Sequence, residues 1–182
     1  MERTIGIFCS ANDVDEKYTK PALEFARLMV QNGYDLVWGG TNTGLMSQLA
    51  AEVQNAGGKI IGVSVIHLEH KARPGANEMI IAKSPGERKA VFLQKASAIV
   101  VFVGGIGTFD EVTDALENKK HDLLKIPLVI LNTNNFYDGF RNQLQTMEED
   151  GFLTKPYKKM IQFASTPQET MDIINQELGI TS

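Results

Sequence analysis

Ala98-Ile99-Val100-Val101-Phe102-Val103-Gly104-Gly105-Ile106-Gly107-Thr108-Phe109-Asp110-Glu111 is the stretch on which the fold turns. Six apolar residues run unbroken into a glycine cluster, and a helical pattern from Phe109 to about Lys119 follows. A strand without polar alternation is covered on both faces, as in a parallel sheet flanked by helices. A helix N-terminus offers free N–H groups and partial positive charge, so it suits a phosphate, and glycines let a ligand approach the backbone. The last glycine of a G-x-G-x-x-G dinucleotide fingerprint would fall on Asp110, and no Lys-Ser/Thr ending of a P-loop follows, which disfavours NAD and ATP hydrolysis. Thr108-Phe109-Asp110-Glu111 also fits a capping box, with Thr108 accepting from a backbone N–H and Glu111 reaching back. Spacing leaves both readings open; the three preceding glycines favour a ligand loop, because a plain cap needs none.

The pattern repeats outward from this stretch. A strand at 4–9 precedes a helix with Pro21 in its first turn, a buried stripe of Ala22, Phe25, Ala26, Met29 and Val30, and a stop at Asn32-Gly33. A strand at 35–38 runs into Gly39-Gly40-Thr41-Asn42-Thr43-Gly44 and a helix marked by Leu45, Met46, Leu49, Ala50 and Val53. Strand 59–65, a polar loop over 67–77, a brief strand at 79–81 and a helix from near Gly86 lead back to Ala98. Strand 127–131, helix 136–149, strand 160–164 and helix 167–178 complete the chain. Without linker or repeat, this predicts an α/β, Rossmann-like doubly wound parallel sheet with helices on both faces, spanning 1–182 as one domain. Both glycine loops then share the edge at the carboxyl ends of the strands, where such sheets bind ligands.

Composition narrows the classes. The 22 acidic and 18 basic side chains give −4, so no nucleic-acid partner is indicated. No apolar run approaches the roughly 20 residues of a membrane span, and the N-terminus lacks a secretory pattern. One cysteine, Cys9, excludes an internal disulfide, and His67, His70 and His121 lack metal-ligand spacing; they read as loop or post-helix residues. The expectation is a cytoplasmic protein without metal or cofactor.

Glu87-Arg88-Lys89 opens the helix before Ala98, where the dipole opposes cations. A solvated charge run is one explanation. An anion held by the planar fork of Arg88 is the other.

These three segments, in this order, resemble the LOG (Lonely Guy) family of cytokinin riboside 5′-monophosphate phosphoribohydrolases, many of whose members are labelled possible lysine decarboxylases. Val103 to Glu111 is similar to the family's P-G-G-x-G-T-x-x-E, Gly39 to Met46 to its G-G-x-x-x-G-L-M, and Arg88-Lys89 to its Arg-Lys pair. The likeness continues through Leu131-Asn132, Phe136-Tyr137 and Asp150-Gly151-Phe152. The resemblance implies hydrolysis of the N-glycosidic bond of a nucleoside 5′-monophosphate, without cofactor, by a homodimer or larger homo-oligomer, with Arg88 and Glu111 as the catalytic pair. It places Gly104, Gly105, Gly107 and Thr108 on the phosphate loop; Ser10, Gly40, Thr41, Asn42, Gly44, Lys89 and Asp110 join them as expected substrate contacts. A dimer seam on the helix bearing Val112, Ala115 and Leu116 is a further expectation. Departures at Thr41, Ser47, Ser64-Val65, Pro85-Gly86, Val103 and the 118–121 segment cluster around the presumed base pocket and leave Arg88 and Glu111 intact. A nucleotide carrier without hydrolytic activity is therefore the alternative. Lysine decarboxylation needs pyridoxal phosphate on a lysine with an acidic partner for its ring, and no lysine is so placed.

Overall fold

Among the described residues seven strands and six helices follow one another, as the apolar runs predict. The computed structural model describes residues 3–180. The strands are Thr4–Phe8 (β1), Asp35–Trp38 (β2), Ile60–Val65 (β3), Glu78–Ala82 (β4), Ala98–Val101 (β5), Leu128–Leu131 (β6) and Gln162–Ala164 (β7). The helices are Glu16–Gln31 (α1), Gly44–Asn55 (α2), Pro85–Lys95 (α3), Ile106–Lys120 (α4), Asp138–Glu149 (α5) and Pro167–Glu177 (α6). All pairings between these strands are parallel, in the order β4-β3-β2-β1-β5-β6-β7. The chain winds outward from β1 to β4, then returns to β5 and winds the other way. The doubly wound sheet is thus as expected, and its switch point lies between β1 and β5.

Alternate residues of each strand feed two cores. Ile5, Ile7 and Cys9 face α1, α2 and α6, with Phe25, Met29, Leu49 and Ile174 among the buried partners. Phe8, Val101 and Ile130 face the opposite side, against Phe92 of α3, Val112 and Ala115 of α4 and Leu144 of α5. Gly6 brings α3 close, since a Cβ there would lie 2.6 Å from the Phe92 ring. Trp38 is fully buried and donates from Nε1 to the Thr41 carbonyl, 3.4 Å away.

Several expectations need correction. Pro21 is the sixth residue of α1, beyond its first turn. Having no N–H, it frees the Lys17 carbonyl, which accepts from Asn134 Nδ2 at 3.3 Å instead. The predicted loop at 67–77 contains a 3-10 helix, Ile66–Lys71, and another, Thr133–Asn135, delays α5 until Asp138. The capping box at Thr108–Glu111 does not form, because α4 starts at Ile106 with Gly105 as N-cap and Thr108 is already inside it. Capping boxes form where Ser84-Pro85-Gly86-Glu87 opens α3 and Thr166-Pro167-Gln168-Glu169 opens α6; each hydroxyl accepts from the glutamate N–H, and each glutamate reaches back to a preceding N–H. Val112, Ala115 and Leu116 are buried against the sheet and offer no seam to a second copy. Among the described residues no helix is long and apolar enough to cross a membrane.

Candidate active site

The carboxyl ends of β5, β1, β2 and β3 open into a cleft of about 430 Å³. Beyond β5 the ladder continues through Phe102 N–H to the Phe8 carbonyl (2.9 Å) and Ser10 N–H to the Val103 carbonyl (3.0 Å), which holds both loops together at the switch point. Tyr137, whose hydroxyl donates to the Phe102 carbonyl at 2.8 Å, braces the chain just before the glycines. Burial pushes this phenol well above its usual range, so it remains a donor. No side chain caps Gly105, and the helix opens on the cleft through Gly105, Ile106, Gly107 and Thr108. Gly104 is needed for the turn itself, as a Cβ there would lie 2.1 Å from Thr108 Oγ1.

On the floor of the cleft, Arg88 Nη1 donates to Glu111 Oε1 at 2.6 Å. Arg88 is fixed from behind by a 2.9 Å bond from Nε to the Val63 carbonyl, and Gly39 leaves room for its Nη2. Glu111 is 7% exposed. Burial raises its carboxyl above the usual carboxylate range; Arg88 opposes that rise, and Asp110 adds to it.

The expected contacts divide. Ser10, Thr41, Arg88, Gly105, Gly107, Thr108 and Glu111 line the cleft; Gly40, Asn42, Gly44, Lys89, Gly104 and Asp110 do not. Gly44 has φ +55°, and a Cβ would strike the backbone of Asn12, so it docks the β1 loop onto α2. Gly40 packs on Ser64 and Met79, and its carbonyl accepts from Arg73 N–H at 2.8 Å. Asn42 Oδ1 accepts from Arg73 Nη1 at 2.7 Å. Lys89 turns outward to Asp110 (3.2 Å) and Asp114 (3.0 Å), which ties α3 to α4. His67, Leu68, Pro85, Met46 and Asn12 also line the cleft. His67 was expected to be a loop residue; its placement depends on the 3-10 helix, which no local spacing announces. Arg73 was missed outright, since its partners Asn42 and Gln54 lie 31 and 19 residues away.

A family model described as "Possible lysine decarboxylase" matches residues 46–174, more than half of the chain. The cytokinin riboside 5′-monophosphate phosphoribohydrolase LOG of Oryza sativa subsp. japonica is 30% identical over 171 residues, covering 92% of this chain and 70% of that one. The chain belongs to the LOG family. A LOG relative from Mycobacterium tuberculosis, named cytokinin riboside 5′-monophosphate phosphoribohydrolase, is 28% identical over 153 residues, covering 83% of this chain and 82% of its own. Solved structures share the fold: the molybdenum cofactor carrier protein of Chlamydomonas reinhardtii (TM-score 0.75, 22% identity, 98% and 99% of the two chains) and the molybdenum cofactor binding protein of Rippkaea orientalis (TM-score 0.74, 19% identity, 98% of each).

The family's decarboxylase label implies pyridoxal phosphate, which requires a lysine for its Schiff base. Among the described residues no lysine lines the cleft of this LOG-family chain, and Lys89 beside Arg88 is committed to two aspartates. The residues present do not fit that group.

Proposed function

We propose that the protein hydrolyses the N-glycosidic bond of a purine nucleoside 5′-monophosphate, releasing free base and ribose 5-phosphate. The observation that carries this reading is the 2.6 Å Arg88–Glu111 pair on the cleft floor, one helical turn from an uncapped, glycine-lined helix N-terminus. The 5′-phosphate docks on the backbone N–H groups at the start of α4. That docking places the ribose over Glu111. As the glycosidic bond breaks, positive charge grows on the sugar, and the Glu111 carboxylate stabilises it and takes the proton of the attacking water. A desolvated carboxylate is a stronger base than an exposed one. Arg88 keeps it ionised and aimed. Binding energy from the unreacting phosphate positions the reacting carbon. Assembly as a homodimer or larger oligomer belongs to the same reading.

Incubation with AMP, GMP, CMP, UMP and an N6-substituted AMP, followed by chromatography for free base, tests the activity. Release of a purine base is expected. Binding of nucleotide by calorimetry, with no base released from any of the five, would overturn hydrolysis and leave the carrier reading in its place.

A further inference from the structure

The opening of the cleft crosses four strand ends in the order β5, β1, β2, β3. Strands in a sheet lie about 4.8 Å apart, so the outer two are separated by about 14 Å. A nucleotide docked by its phosphate on α4, at the β5 end, extends along that line. On the hydrolase reading its sugar would lie over the Arg88–Glu111 pair, which leaves its base toward the end of β3. Val65 ends that strand, and the 3-10 helix Ile66–Lys71 follows at once. His67 and Leu68 of this helix line the cleft there, with Pro85 and Met46 supplying further apolar wall.

Glycosidic cleavage leaves an electron pair on the departing base, so an acid at that end of the cleft accelerates it. Four titratable side chains line the cleft: Cys9, His67, Arg88 and Glu111. Arg88 does not release a proton, and Glu111 is occupied as a carboxylate. Cys9 is buried, with its thiol pushed far up by burial and by Glu111. His67 is exposed and has no hydrogen-bond or ion-pair partner among the described residues. Imidazole is the side chain best suited to exchange a proton near neutrality.

We propose that His67 is the acid that protonates the leaving base at N7, which commits the cleft to purine nucleotides. The inference rests on the hydrolase reading of the same site. The C1′–N9 bond breaks with its electron pair passing to the base. The His67 proton enters at N7, so the base departs neutral. Water adds to C1′ and gives its proton to Glu111, and solvent carries that proton back to His67.

The test compares the purine nucleotide turned over fastest with its N7-methylated form, whose base is already cationic and departs without a proton. In His67→Gln, kcat on the parent should fall about 100-fold with KM within about threefold, while turnover of the methylated nucleotide changes by less than about threefold. His67→Asn should repeat this, and because the side chain is exposed, both variants should keep the wild-type circular dichroism spectrum. Equal losses on both nucleotides, or no loss on the parent, would overturn the acid role and leave hydrolysis standing. Pyrimidine nucleotides turned over as fast as purine ones would also overturn it. If the wild-type chain releases no base from any nucleotide, the hydrolase reading falls and this one with it.

Discussion

Glu111 is pushed toward neutrality by its burial and by Asp110, and held toward the charged form by Arg88 and, less strongly, by Lys89. Two measurements follow from that balance. Glu111→Gln keeps the size and a hydrogen-bonding oxygen but not the charge, so kcat should fall about 1000-fold while nucleotide binding by calorimetry persists. The pH profile of kcat/KM should show an acid limb above the ordinary carboxylate value of about 4.3, because the working form is the carboxylate. Asp110→Asn removes an exposed like charge and should move that limb to lower pH. Stability follows the same sign. The folded carboxyl keeps its proton to higher pH than the unfolded one, so the native state binds more protons in the window between the two values. This group's contribution is therefore greatest below the window and is lost as pH rises through it. Melting temperatures of Glu111→Gln and wild type, compared from about pH 4 to 7, should shift progressively in favour of the variant. The pairing of Arg88 with Glu111 was legible from sequence only through family likeness; their 23-residue separation follows no local period. Lys89 stands outside the cleft lining for a physical reason. Adjacent residues on a helix point about 100° apart, so the neighbour of a cleft residue turns away from the cleft.

At the scale of elements, the glycine loop between β2 and α2 owes its shape to contacts from outside it. Thr41 bridges to Ala72, Asn42 N–H reaches the Lys71 carbonyl at 2.9 Å, and the Arg73 guanidinium spans Asn42, the Ser47 carbonyl and Gln54. Arg73→Ala should cost about 1 to 2 kcal/mol in urea unfolding, since hydrogen bonds to a charged group are lost. It should also raise KM about tenfold with kcat changing less, because it slackens a loop beside the substrate without touching the reacting atoms. The strands and helices were readable because their apolar periods are local. The 3-10 turn carrying His67 and the early start of α4 were not, because each is settled by tertiary contacts. Gly105 stands as N-cap in an extended conformation, and burying Thr108 inside the helix removes the hydroxyl that a capping box would have used.

Across the whole molecule, the strand order puts every loop of the site at one edge. Alternation of continuous apolar strands with amphipathic helices was enough to predict this, since right-handed crossovers leave few other arrangements. What the alternation could not supply was which apolar side chains stay exposed on the surface. Val112, Ala115 and Leu116 of α4 face the sheet, whereas Ile106 at its start, Leu123 and Phe152 stand 87%, 76% and 76% exposed. Sedimentation velocity should give a dimer or larger species; a monomer mass at micromolar concentration would remove assembly from the reading.

The bare first turn of α4 has a practical consequence. Its backbone donors have no side-chain cap, so an anion seated there completes the helix as well as occupying a subsite. Ligand and fold are then linked, and inorganic phosphate at a hundred times its dissociation constant would add about 2.7 kcal/mol to the native state. Heating the chain with a library of phosphorylated compounds therefore reports affinity directly, before any reaction product has been identified.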